Sequence, residues 1–281
     1  MGAVGCGWAT SLVYWLMAGM LLLYICKHSH YREFTDVRKM LPDLRRIAHI
    51  VRLGLPIGIN IFICGSIFAI IALLIGKLGA DTVASHQIVL NFTGLTYMIP
   101  MSLSLGITIR VGHVLGEGNV QEARLRSFSG IMLAACFSVV SATGLLLFPD
   151  AIIALYTNDA TVAQGAAMLL SYAALYQVSD ALQSSANGAM RGFKDTRIPM
   201  ILASICYWGV ALPLGYTLGL TNLLTEPMGA AGFWIGLLTG LTCAAVMMNS
   251  RLFLIMKHYG LPAKPTSHHP HQQWLCHTVK R

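Results

Sequence analysis

The sequence reads as an all-α protein that crosses a membrane repeatedly, and three features say so. First, 56% of its 281 residues are hydrophobic and only 11% are charged, where a soluble domain carries about 25% charged residues. Second, the apolar residues come in seven long runs, near 3–26, 51–76, 84–109, 127–149, 162–190, 198–219 and 228–256, each reaching the roughly 20 residues that a helix needs to span a bilayer. Third, these runs show no apolar/polar alternation, which a membrane β-barrel strand would require. The same composition excludes a disordered chain. The seven cysteines are sparse and odd in number, which excludes a disulfide scaffold. Six of them, Cys6, Cys26, Cys64, Cys136, Cys206 and Cys243, sit in apolar stretches without CxxC spacing and read as small packing residues.

The first run, 3–26, opens without a basic n-region and is expected to be a full span rather than a signal peptide. Runs two, three and six carry Pro56, Pro100 and Pro213, which membrane helices tolerate because neighbouring groups satisfy the freed backbone. The linking segments set the orientation. All but one of the 19 Lys and Arg residues fall between runs one and two (27–50 above all), between three and four, between five and six, or at the chain's C-terminal end. The opposite side has Lys77 with Asp81, Asp150, Asp159 and Glu226. By the positive-inside rule the N-terminus is external and the C-terminus cytoplasmic. Topology thus accounts for the net charge of +8, and nucleic acid is not an expected partner. The His-rich run at 266–271 lies beyond the last span and reads as part of a cytoplasmic tail.

Of the eleven acidic residues, Asp180 alone lies deep inside a span. A carboxylate at that depth costs about 2.5–3.5 kcal/mol on insertion scales and is a functional-site hypothesis by default. Tyr176, Asp180, Gln183 or Ser184, and Asn187 recur at helical spacing on one face. This stripe reads as the wall of a water-filled cavity. A carboxyl placed there can exchange a proton, or bind Na⁺ through oxygen ligands with help from Tyr176 and the amides. Asn91 in run three and Asn60 with Cys64 in run two are further cavity-lining candidates. His86 reads as an interface residue, and Arg110 and Arg191 as snorkelling span ends. No GxSxG, HExxH, Walker A or strand-borne GxGxxG motif occurs. The expectation is therefore a non-enzyme without an organic cofactor, with any transport driven by an ion gradient or a partner ATPase.

Several segments resemble the multidrug and toxic compound extrusion (MATE) family, and closely its NorM-type bacterial members: GAVGCGWAT at 2–10, RLGLPIGINIF at 52–62, ASHQIVLNFTGLTYMIPMSLSLGITIRVGHVLGEG at 84–118, YQVSDALQSSANGAMRGFKDTRIP at 176–199 and EPMGAAGFWIGLLTGLTCAAVMM at 226–248. They occur in order up to about residue 256. The resemblance implies twelve helices in two six-helix lobes, with substrate between lobes that rock. Residues 1–26 then match the last helix of the N-terminal lobe, 27–50 the basic interlobe loop, 51–257 the six-helix C-terminal lobe and 258–281 a cytoplasmic tail. Most of a first lobe would be absent, so the chain is expected to be a fragment of a full transporter, or to work with a separate N-terminal lobe. Asp180 matches the family's helix-ten acid that couples to the cation, and Tyr176 its neighbouring tyrosine. Where NorM-type members carry Phe-Phe-Glu in helix seven, this chain has Phe62-Ile63-Cys64. Cys64 is no hard oxygen ligand for Na⁺, which leaves Asp180 as the single coupling acid.

The implied function is Na⁺- or H⁺-coupled antiport of organic cations and hydrophobic drugs across the bacterial inner membrane, with small-molecule drugs and membrane lipid as partners. The alternatives are a truncated remnant that does not transport, and a seven-helix receptor, which has the same external N-terminus but would need no ion coupling. A related lipid-linked oligosaccharide flippase would carry basic residues in its cavity, where these spans hold almost none.

Overall fold

A computed structural model of the chain describes residues 2–27, 43–223 and 226–259. The described residues are helical or in short connections, with no strand. The helices are α1 (Gly2–Lys27), α2 (Leu44–Ile75), α3 (Ala80–Gly116), α4 (Val120–Leu147), the short α5 (Pro149–Ala154), α6 (Ala160–Gly192), α7 (Arg197–Ser204), α8 (Leu212–Leu220) and α9 (Ala230–Tyr259). A π-helical turn at Ile205–Ala211 joins α7 to α8. Of the expected interlobe loop, 28–42 lies outside the described residues, as does the tail from 260 onward with its His-rich run.

The chain divides into two compact units, Met1–Arg52 and Leu53–Arg281. The first holds α1 and the opening turns of α2, which begins at Leu44, before the 51 expected from hydropathy. Asp43 explains the early start. Its carboxylate accepts from the Arg45 backbone N–H at 2.9 Å and pairs with Arg46 at 3.1 Å, an N-cap arrangement that satisfies first-turn donors.

Each apolar run lies on a helix or helical rod, and among the described residues six of these are long and apolar enough to cross a membrane by composition. The exception is run five, 162–190, which was expected to be a span like the others. Helix α6 has the length, 33 residues. Gln177, Ser179, Asp180, Gln183, Ser184, Ser185 and Asn187 lower its hydropathy, and the bundle buries all of them but Ser179 and Asp180. Gln177, Ser185 and Asn187 are all buried.

In the second unit α6 is the central helix, packed against α3, α4 and α9. Small residues bring the backbones together. A Cβ at Gly188 would stand 2.3 Å from the Ser104 carbonyl oxygen. At the same crossing the Ser104 hydroxyl donates to the Ser184 carbonyl at 2.7 Å and Thr108 to the Gly188 carbonyl at 2.8 Å. Gly232, Gly236 and Gly240, spaced four apart on α9, lie against Gly219, Gly215 and Ala211. This is the small-residue packing of membrane helix pairs, which dispersion and close backbone approach hold together.

The π turn has a local cause. Pro213 lacks an N–H and its ring clashes with the carbonyl four residues earlier. The preceding turn widens, and the Leu212 N–H bonds to the Tyr207 carbonyl, five residues back.

The basic helix ends are gathered at one end of this unit. The turns α3–α4 and α6–α7 both close with a bond from the N–H five residues on, Asn119 to Val114 at 3.1 Å and Asp195 to Met190 at 3.0 Å. The left-handed position is Gly118 (φ 80°) in one and Lys194 (φ 63°) in the other. A side chain there costs roughly 1–2 kcal/mol. Arg124 donates to the Met256 carbonyl near the end of α9, and Arg251 pairs with Asp195 at 3.0 Å. Lys77 sits at the opposite end, in the 3₁₀ turn Gly76–Leu78 between α2 and α3.

Candidate functional site

A cavity of about 530 Å³ opens between α2, α3, α6 and the π turn. Its α6 wall is one continuous face, Tyr176, Asp180, Gln183, Ser184, Asn187 and Arg191, at the three- and four-residue spacing that stacks side chains along a helix. Asn60 and Cys64 of α2 line the same cavity one turn apart, the Cys64 Sγ 3.6 Å from the Asn60 Oδ1. Thus Asp180, Tyr176, Gln183, Ser184, Asn187, Asn60 and Cys64 come together around one space.

Asn91 does not join them. Its side chain is exposed and accepts from the Tyr156 hydroxyl at 3.0 Å. The cavity face of α3 runs through Leu90, Thr93, Tyr97, Met101 and Ser104. Asn91 is one residue off that line, about 100° around the helix, and points toward the α5–α6 connection. His86, expected at an interface, is a core residue only 2% exposed.

Asp180 is the one carboxylate lining the cavity. Among the described residues no Lys, Arg or His forms an ion pair with it. Three tyrosines from three elements share its cavity: Tyr97 of α3, Tyr176 of α6 and Tyr207 of the π turn. Tyr176 is held by edge contacts to Phe68 (ring centroids 6.3 Å apart) and Trp234 (5.8 Å). Trp234 is fixed in turn, because its indole N–H donates to His86 Nδ1 at 3.1 Å. Burial of His86 therefore positions a cavity wall through two aromatic rings.

Arg191, expected to snorkel, turns inward and lines the cavity, and its Nε is buried without a hydrogen-bond partner among the described residues. It stands eleven residues beyond Asp180, about 16 Å along the axis. The cavity thus has a carboxyl at Asp180, aromatic rings around it, and the Arg191 guanidinium at the basic end of the lobe. Such a space can hold a small cation at the carboxylate, or an organic cation between carboxylate and tyrosine faces. Tyr207 and Phe68 were not picked out from the sequence, and Arg191 was read there as a span end rather than a cavity residue. Arg191 was legible there, since it continues the Asp180–Asn187 spacing by one more turn.

Fold and site together define a polytopic α-helical membrane lobe with an acid-bearing polar cavity. The chain belongs to the MatE family, whose model matches residues 56–217, more than half of its length. It is 47% identical over 253 residues to the multidrug resistance protein PmpM of Pseudomonas aeruginosa, covering 90% of this chain and 53% of that protein. It is 43% identical over 254 residues to the multidrug resistance protein NorM of Photobacterium profundum, covering 90% and 56%. The chain spans about half the length of the curated relatives it matches. Among solved structures, the eukaryotic MATE transporter AtDTX14 superposes with a TM-score of 0.82 at 22% identity, over 92% of this chain and 58% of that one. This last likeness shows the fold alone.

Proposed function

We propose that this chain supplies the acid-bearing lobe of a cation-coupled multidrug antiporter of the bacterial inner membrane. Inward movement of Na⁺ or H⁺ would drive organic cations and hydrophobic drugs outward. Asp180 takes the coupling ion with Tyr176 beside it, while Gln183, Ser184, Asn187, Asn60 and Cys64 supply the polar wall. The observation that carries the reading is Asp180 itself, a carboxylate without an ion-pair partner among the described residues, facing a cavity lined by three tyrosines. The names of the relatives support efflux of drugs as the task, with transport rather than catalysis as the chemistry. Transport needs a second lobe, from the same or another polypeptide, because alternating access is the rocking of one repeat against another. The basic end, with Arg110, Arg124, Arg191 and Arg251, faces the cytoplasm, and so does the C-terminus.

Binding to this lobe tests the proposal without requiring transport. Detergent-solubilised chain is titrated with ethidium, a fluorescent organic cation, at increasing Na⁺ and at decreasing pH. Binding weakens with at least one of the two ions, and Asp180→Asn removes that competition while the protein stays monodisperse. Ethidium binding that is equally ion-sensitive in Asp180→Asn overturns the assignment.

A further inference from the structure

Away from the cavity, three sulfur atoms converge on the packing between the π turn and α9. Cys206 is fully buried at the second position of the π turn. Cys243 and Met247 lie one turn apart on α9. The Cys206 Sγ is 3.7 Å from the Met247 Sδ, and the Cys243 Sγ is 3.8 Å from it. The backbones are held close, since a Cβ at Gly240 would stand 2.8 Å from the Cys206 carbonyl oxygen. A shallow opening of about 440 Å³, lined in part by Cys243 and Met247, leads to the cluster.

We propose that Cys206, Cys243 and Met247 form a three-sulfur site for a soft monovalent cation, Cu(I) or Ag(I). Thiolate and thioether donors select soft ions over Na⁺, Mg²⁺ or Ca²⁺, which take oxygen ligands. The two edges to Met247 fit a trigonal arrangement. Metal–thiolate bonds of about 2.3 Å at 120° place the sulfurs about 4.0 Å apart, and the two measured edges need to open by only a few tenths of an ångström. Structural zinc takes four ligands, and the cluster offers three. Loading releases one proton for each thiol that becomes a thiolate. The bound ion ties the π turn, and so Tyr207 next to Cys206, to α9.

The site is separate from the Asp180 reading and its test is independent of transport. The full chain is prepared with Cys6, Cys26, Cys64, Cys136 and Cys276 replaced by serine and kept reduced without oxygen. It is then offered Cu(I) in competition with bathocuproine disulfonate. One Cu(I) per chain is retained, X-ray absorption shows sulfur neighbours only, and Cys206→Ser or Cys243→Ser abolishes retention. Met247→Leu weakens it, because only the two thiolates then remain as ligands. No retention, or retention unchanged by Cys206→Ser, overturns the site. If the serine background fails to fold, the natural chain gives the answer through alkylation followed by mass spectrometry. With half an equivalent of Ag(I) per chain, N-ethylmaleimide modification slows at Cys243 more than at the exposed Cys136, and equal slowing at the two, or none at Cys243, overturns the proposal.

Discussion

Asp180 and its tyrosines illustrate how far single residues reveal a site. A lone acid in an apolar run, with polar residues at helical spacing on both sides, needs only the helix period to be interpreted, and all five α6 positions read that way line the cavity. Asn91 and Arg191 fail in opposite directions. A polar residue in a span gives no sign of which face it occupies until the neighbouring helix is known, and Asn91 lies about 100° off the face that α3 presents. Arg191 sits near a span end, where snorkelling is the default, yet packing turns it inward. Tyr207 could not be placed because its direction depends on the π turn. The tyrosine cage makes a specific prediction. Tyr207→Ala lowers ethidium affinity by about thirtyfold, the scale of a desolvated cation–π contact, and Tyr207→Phe keeps most of it. Equilibrium fluorescence titration of the two variants separates ring from hydroxyl, and loss with both would place the effect on the hydroxyl instead.

The elements of the second unit depend on absent side chains as much as on present ones. Run positions were legible from hydropathy and the polar stripe of run five from its spacing, but not that α6 is the helix against which α3, α4 and α9 all pack. The Gly232–Gly236–Gly240 stripe is visible in the sequence and acquires meaning only beside Gly215 and Gly219 of α8. A Cβ at Gly236 would lie 2.5 Å from the Gly215 backbone nitrogen, and no rotamer relieves a clash with backbone. Gly236→Ala should therefore destabilise the lobe by about 1–3 kcal/mol, read as a lowered midpoint of thermal unfolding in detergent. An unchanged midpoint would mean that α8 and α9 pack less tightly than the structure has them. Similarly, the kink at Pro213 was expected to be tolerated, and it does more. It opens the turn that carries Cys206 to the α9 sulfurs and Tyr207 to the cavity.

At the scale of the whole molecule, charge and connectivity agree. Two of the basic residues assigned to one side from loop counting are physically tied within the second unit, Arg124 to the end of α9 and Arg251 to the α6–α7 turn. This asymmetry predicts sidedness. In intact cells, and in a background whose native cysteines are serine, Asn158→Cys in the exposed α5–α6 connection reacts with a membrane-impermeant maleimide, and Glu117→Cys in the α3–α4 turn does not. The reverse pattern would invert the proposed topology. The chain spans about half of each relative's length, and the ion and drug chemistry proposed here is assigned to this lobe.

Ion release on ligand addition tests the central claim most directly, because it asks whether the coupling ion and the organic cation compete at Asp180. Ethidium is added to the solubilised chain in weakly buffered solution, with a pH indicator and, separately, with ²²Na⁺-loaded protein. The account predicts release of about one proton or one Na⁺ for each ethidium bound, as linkage between two cations at one carboxylate requires, and no release from Asp180→Asn. Ethidium bound with no ion released, or released equally by Asp180→Asn, would contradict it.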